Sequence, residues 1–233
     1  MFRALLNHTR LFVPLLAGAS LRDRVIASVG AVLGIGFVGL SCVALFPSSI
    51  PWIVAPMGAS AVLLFAVPAS PLAQPWSIAG GNFVSAFVGA VVAQFIPDPA
   101  IAAAVAVSLA ILTMSLLRCL HPPGGAAALS AVLGGYALLS EHVVEFLFVV
   151  LVNSLLLVSI GWLFHRFSGH SYPHRAQPVE GRALPPAPAS GLSMDDIDKA
   201  LEDLGETFDI SREDLALLLE RAEVHAAARS ARR

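Results

Sequence analysis

Charge is scarce in this chain. Charged residues make up 13% of its 233 residues, against roughly 25% in a soluble globular domain. From Val25 to Phe164 the only ones are Asp98, Arg118, Glu141 and Glu145. So long an uncharged stretch excludes a water-soluble fold, and no basic stripe exists to engage nucleic acid. Cysteine is scarce too. Cys42 and Cys119 stand inside or beside apolar segments, where a thiol serves as a small buried hydrophobe. Neither has the spacing of a zinc site. Phosphate-cradling glycine loops, dinucleotide fingerprints and Gly-x-Ser-x-Gly elbows are missing. The sequence therefore predicts no cofactor, no metal and no enzyme activity.

Apolar length is what the chain has in abundance. Hydrophobic residues make up 57% and the mean hydropathy is +0.78, which points to lipid as the solvent. Six apolar segments cover residues 25–46, 50–67, 76–96, 100–117, 124–139 and 143–164. A bilayer core of about 30 Å takes about 20 helical residues. The first, third and sixth segments meet that length comfortably. The second and fifth are short and carry Pro and Gly at or near their starts. In lipid such openings mark a broken helix whose free backbone groups face protein or a cavity. The expected fold class is an all-α membrane protein of about six transmembrane helices. They form two inverted three-span repeats with short middle helices, followed by a short helical tail.

Residues 1–24 do not read as a signal peptide. The apolar run 11–19 is short, contains Pro14 and is followed by Arg22, Asp23 and Arg24. It reads as an interfacial segment with Arg3 and Arg10 near lipid headgroups. Residues 25–167 are the transmembrane domain, 168–192 a Pro/Gly-rich linker and 193–233 an acidic tail. In that tail Ser193 with Asp196, and Ser211 with Asp214, have capping-box spacing, and Leu215, Leu218 and Leu219 form an apolar stripe. Two short amphipathic helices divided near Gly205 are expected. The acids of the tail form either a solvated face or a docking face for a cytoplasmic partner. Arg3, Arg10, Arg22 and Arg24 precede the first span, and Arg166, Arg175 and Arg182 follow the last. Basic residues stay on the cytoplasmic side, so both termini are expected in the cytoplasm, across a bacterial inner membrane. That requires an even number of spans. Arg118 then falls inside, and Asp98 and Glu141 outside.

An internal repeat locates a candidate site. Pro56-Met-Gly-Ala-Ser-Ala-Val-Leu63 and Pro122-Pro-Gly-Gly-Ala-Ala-Ala-Leu129 are identical at four of eight positions. Each opens the middle span of a three-span half. Asn82 and Asn153 stand in the third span of the first and second half. Pro suits a first helical turn, Gly lets backbone approach a ligand, and a helix start offers free N–H groups and a positive dipole end. Two inverted starts facing each other suit a small anion. The candidate binding residues are Pro56, Gly58, Ser60, Asn82, Arg118, His121, Pro122, Pro123, Gly124, Gly125 and Asn153.

Plainer roles compete for each. Gly124 and Gly125 also permit tight helix packing, and Ser60, Asn82 and Asn153 can bond across helices. His121 can cap backbone carbonyls, and Arg118 can snorkel to the inner interface. A full fourth helix ending at Leu117 leaves His121 near the cytoplasmic face; a tilted one carries it deeper.

Leu120-His-Pro-Pro-Gly-Gly-Ala-Ala-Ala-Leu129 resembles the signature of the HPP family of integral membrane proteins, named for its His-Pro-Pro. Residues 55–65, Pro71-Leu-Ala-Gln-Pro75, Gly80-Gly81, Gly161-Trp162 and Ser171-Tyr-Pro-His-Arg175 are similar to that family in the same order. The likeness covers roughly residues 10–176. Family members often carry a basic residue where this chain has Trp76, and a His where it has Asn82. The resemblance implies a bundle of several transmembrane helices, often followed by paired CBS domains, and some relatives are linked to nitrite transport. The chain after residue 176 leaves no room for such a pair, and its tail resembles the helical connector that precedes one. The leading expectation is a transporter or channel for a small inorganic anion, nitrite-like, among membrane lipids. The rival is a scaffold or sensor whose spans anchor a cytoplasmic partner through 193–233. A homo-oligomer is compatible with either.

The topology has a direct check. Ala187→Cys in otherwise cysteine-free protein is expected to resist a membrane-impermeant thiol reagent in intact cells and to react once the membrane is opened. Ready labelling in intact cells overturns the topology.

Overall fold

The structure is a computed structural model and describes residues 20–45, 53–134, 142–176 and 193–230. The expected interfacial segment up to residue 19 and the linker from 177 to 192 lie outside the described residues. So do 231–233 and the stretches 46–52 and 135–141, which hold the start of the second apolar segment and the end of the fifth. Among the described residues the fold is all-helical. The helices are α1 (Leu21–Leu45), α2 (Pro56–Ala66), α3 (Pro75–Phe95), α4 (Pro99–Leu116), α5 (Pro122–Leu133), α6 (Val143–Ser168), α7 (Met194–Leu204) and α8 (Arg212–Ser230), with a 3-10 turn at Pro71–Ala73.

All six apolar segments contain a helix. Four helices, α1, α3, α4 and α6, are long and apolar enough to cross a membrane. α2 has 11 residues and α5 has 12, a rise of only about 16–18 Å at 1.5 Å per residue. Large apolar side chains such as Leu40, Val32, Phe95, Leu116 and Val144 are exposed around the bundle, as befits a protein whose solvent is lipid.

Helix starts follow local chemistry. α2, α3, α4 and α5 each open on a proline, whose missing N–H costs nothing in a first turn. Asp98 caps α4 by accepting from Ala100 N at 3.0 Å and Ile101 N at 2.9 Å. α1 begins at Leu21, earlier than the apolar run alone indicates. There Ser20 and Asp23 bond each other's backbone N–H at 3.2 and 2.9 Å, a capping box that the charged Arg22–Arg24 stretch hides. In the tail both expected caps form: Ser193 with Asp196 as a capping box, and Ser211 Oγ accepting from Asp214 N at 3.1 Å. Gly205 takes the left-handed conformation that ends α7.

The packing has an internal symmetry. α1 packs on α2 and α6, α4 on α5 and α3, α3 on α5 and α6, and α2 on α5 and α6. Exchanging α1 with α4, α2 with α5 and α3 with α6 leaves this set of principal contacts unchanged. The third helix of each half thus packs mainly against the other half. One apolar cluster gathers α1, α2 and α6, a second gathers around α4, and α3 and α5 contribute to both.

Three bonds identify one end of the bundle. Trp76 Nε1 donates to Leu117 O at 3.1 Å, His121 Nδ1 to Leu72 O at 2.7 Å, and Tyr172 Oη to Ala73 O at 3.0 Å. Here α2 ends and α5 begins, α3 begins and α4 and α6 end.

Small residues set the closest approach. A Cβ on Gly89 of α3 would lie 2.4 Å from Ala128 O of α5, and one on Gly81 2.6 Å from His121 Cβ. Gly81, Ser85 and Gly89 recur every four residues, one row along α3, and bring it to backbone contact with α5.

Gly89→Ala is therefore expected to lower thermal stability in detergent markedly, by about 1–3 kcal/mol from overpacking against backbone. Gly58, whose added Cβ meets nothing within 4 Å, is the contrast. Gly58→Ala is expected to be neutral or to stabilise by up to about 1 kcal/mol. Equal melting temperatures for the two variants would contradict the packing.

Candidate functional site

The α3–α5 contact carries His121 into the bundle. His121 is the N-cap of α5 and is fully buried, as are Ser60 of α2 and Asn82 and Ser85 of α3. Nδ1 of His121 lies 2.7 Å from Leu72 O. A carbonyl only accepts, so Nδ1 carries the hydrogen. In the neutral ring Nε2 is then an acceptor, and it takes the Ser60 hydroxyl hydrogen at 2.8 Å. Ser60 Oγ in turn accepts from Asn82 Nδ2 at 3.1 Å. The result is a one-way chain from Asn82 through Ser60 and His121 to Leu72. It joins α2, α3, the 3-10 turn and the start of α5.

Two polar atoms at this place are left over. Asn82 Oδ1 and Ser85 Oγ are buried and have no hydrogen-bond partner among the described residues. Ser85 Oγ faces the start of α5, where a Cβ on Gly124 would lie 2.7 Å from it. Buried polar atoms ordinarily find partners, and in a membrane domain such groups mark functional places.

Part of the hydrogen-bonding capacity of the two helix starts is already taken up. Pro56, Pro122 and Pro123 have no N–H. The N–H groups of Met57, Gly58 and Gly124 bond to Val54 O, Ala55 O and His121 O at 3.0, 3.1 and 2.8 Å. The side chains at this place add an imidazole, an amide and two hydroxyls as possible partners for a ligand.

The candidate residues divide into groups. Ser60, Asn82 and His121 come together, with Pro122, Pro123 and Gly124 shaping the start of α5 beside them. Gly124 also packs against Met114 and Gly81. Pro56 is buried, whereas Gly58 at the first turn of α2 is exposed and Gly125 is half-buried. Arg118 is exposed on the turn after α4, in a left-handed conformation with φ 55°, outside the buried chain. Asn153 belongs to a second polar place. Its Oδ1 accepts from Val54 N at 3.2 Å, just before α2, and its Nδ2 donates to Cys42 Sγ at 3.2 Å.

Reading residue types along the chain missed three participants. Ser85 had a signal, the four-residue spacing with Gly81 and Gly89. The Leu72 carbonyl had none, because any residue supplies one. His165 of α6 is buried and donates from Nε2 to Leu64 O at 2.9 Å. It stood in an apolar run near a basic end and drew no reading.

Ser60 and Ser85 differ sharply in what truncation leaves. Ser60→Ala strips partners from His121 Nε2 and Asn82 Nδ2 and is expected to cost about 1–3 kcal/mol. Ser85→Ala removes a hydroxyl that has no partner and is expected to be neutral or mildly stabilising. Thermal melts in detergent compare them, and a larger loss from Ser85→Ala would refute the bonding described.

Comparison with known proteins completes the picture. The sequence profile described as "HPP, transmembrane region" matches residues 17–173, a stretch that takes in α1 to α6 and the turn beyond. A Dictyostelium discoideum protein named only as a transmembrane protein is 49% identical over 80 residues, 33% of this chain and 28% of that relative. A second, likewise named and from the same organism, is 47% identical over 79 residues, 32% of this chain and 25% of that relative. The matched stretch is thus about a quarter of either relative's length. No solved structure matches. The profile covers the apolar helices and the His121-Pro122-Pro123 start of α5 together, and this membrane protein belongs to the HPP family.

Proposed function

We propose that this protein moves a small inorganic anion such as nitrite across a membrane, through the place where Ser60, Asn82, Ser85 and His121 meet. The observation that carries the proposal is the pair of unpartnered buried atoms, Asn82 Oδ1 and Ser85 Oγ, beside a hydrogen-bonded chain. Packing alone gives no reason to retain polar atoms without partners in an apolar bundle. The side chains here bear no negative charge, and their N–H and O–H groups suit an anion stripped of part of its water. Both ring nitrogens of His121 are engaged, so the arrangement corresponds to a closed state that a solute has to open.

The architecture supports the same reading. Six helices alternate in direction if each apolar segment crosses, which returns both termini to the cytoplasmic side that the flanking arginines favour. The contact pattern is invariant under exchange of the two halves, and α2 ends where α5 begins. These are the features of inverted repeats, in which alternating access comes from rocking one repeat against the other. Gly124 now reads as a packing residue as well as a site residue, so a large side chain there tests folding together with binding. His121 is the better probe.

Purified protein in liposomes is expected to carry nitrite faster than protein-free liposomes do. In the opened state the Nδ1–H released from Leu72 O is the donor to the anion, and losing a hydrogen bond to an anion costs about 1.5–3 kcal/mol. His121→Ala is therefore expected to slow flux at low nitrite by about ten- to a hundredfold, and Gly58→Ala to leave it unchanged. Folded protein without nitrite flux would end the proposal in favour of the scaffold reading.

A further inference from the structure

We infer that the tail, through the turn before α8 and the first turn of α8, holds the buried site closed by gripping the loop that anchors His121, an inference that rests on the transport reading. The loop is 67–74, between α2 and α3, and it contains the 3-10 turn. Two acids of the tail reach it independently.

The first grip runs straight to the site. Asp209, between α7 and α8, accepts from Ser70 Oγ at 2.8 Å. The same Ser70 Oγ accepts from Leu72 N at 3.1 Å. Leu72 O accepts from His121 Nδ1 at 2.7 Å, and His121 Nε2 accepts from Ser60 Oγ at 2.8 Å. Consecutive hydrogen bonds therefore connect a surface carboxylate of the tail to the buried polar chain, with only the backbone of Leu72 between Ser70 and His121.

The second grip is on the far end of the loop. Asp214, at the start of α8, holds His174 Nε2 at 2.8 and 3.0 Å. His174 N donates to Gln74 Oε1 at 2.9 Å. Gln74 Nε2 then donates back into the loop, to Pro68 O at 3.0 Å and Ser70 O at 2.8 Å. Tyr172 Oη adds its bond to Ala73 O, and burial raises that phenol well above its ordinary pKa, keeping it a donor. Asp214 is itself fixed by Ser211 Oγ at 2.5 Å.

The consequence is mechanical. An anion approaching Ser60 or Asn82 from this end meets the His121 ring, whose two nitrogens are tied to the loop and to Ser60. The ring swings aside only if Leu72 moves or its bond to Leu72 breaks. Leu72 is tied through Ser70 to Asp209, and the loop through Gln74 and His174 to Asp214. Releasing the tail acids frees the loop and shifts the population toward an open site, and each hydrogen bond released is worth about a fivefold change in that equilibrium.

The experiment uses the full chain and reads two things. Hydrogen exchange at the amides of Ala69, Ser70, Leu72, Ala73 and Gln74 reports on the loop, and nitrite flux into liposomes reports on the site. Asp209→Ala combined with Asp214→Ala is expected to speed loop exchange about tenfold or more, and to raise nitrite flux about twenty-fivefold, fivefold for each carboxylate released. Asp209→Asn keeps an acceptor for Ser70 and, alone, is expected to behave as wild type in both. Asp209 is exposed, so a melting temperature of the membrane bundle near wild type separates release from unfolding. Unchanged loop exchange in the double variant overturns the grip, whatever the flux. Faster loop exchange with unchanged or lower flux overturns the closure, because the loop then moves without opening the site. If wild-type protein carries no nitrite the transport reading fails by itself; faster exchange then still supports the grip and unchanged exchange still defeats it.

Discussion

The rest of the structure depends on how closely α3 and α5 approach. Gly81 and Gly89 of α3 have no room for a side chain against His121 and Ala128, so the two backbones meet directly. In lipid the hydrophobic effect does not drive helices together, and association rests on close van der Waals contact and hydrogen bonds. The glycine row supplies the first and in doing so sets up the second. His121 is the residue just before α5. Seating α5 against Gly81 therefore delivers the imidazole to Ser60 of α2 and to the carbonyl of Leu72, while Asn82, next to Gly81, reaches Ser60. Packing and chemistry are one arrangement here, because the residue that permits contact and the residue that bonds are neighbours in sequence.

Much of this was legible in the sequence. Apolar length and the near-absence of charge identified six helical segments, and the Pro-Gly openings picked out the two that are short. Serine–aspartate pairs spaced by three announced the tail helices, and His121, Ser60 and Asn82 stood out as polar residues in apolar surroundings. The rest was hidden for physical reasons. The start of α1 at Leu21 was masked because its capping residues sit among charges that look like a boundary. At the two helix starts proposed to offer N–H groups, those of Met57, Gly58 and Gly124 bond carbonyls three residues back. Such bonds depend on backbone conformation, which no residue type announces. Asn153 shares its place in a half with Asn82, yet the helix it meets is α2's approach, so its partners are Val54 and Cys42. The Leu72 carbonyl is invisible to any reading of side chains.

The same helix pairs touch in both halves, but the closeness of their packing and the chemistry laid on them differ. Exchanging the two halves preserves the helix contacts. His121 nevertheless precedes Pro122, while Ala55 precedes Pro56 in the other half. One helix start is thus guarded by an imidazole bonded to a loop; the other is steadied by the Asn153 amide bonding the backbone before it. On the transport reading this difference assigns distinct work to the two ends. A bundle whose halves rock against each other needs two states of similar energy, and symmetric packing favours that balance. It does not say which end opens on demand. A lock has to act at one end only, and it has to bear on a group that the site uses. The end with His121 meets both requirements. Its ring closes the polar chain, its partner carbonyl belongs to the loop between α2 and α3, and that loop is where the acids of the tail attach. On that reading the asymmetry in sequence, one His-Pro-Pro against one Ala-Pro-Met, is the feature that lets the two helix starts be controlled from a single side.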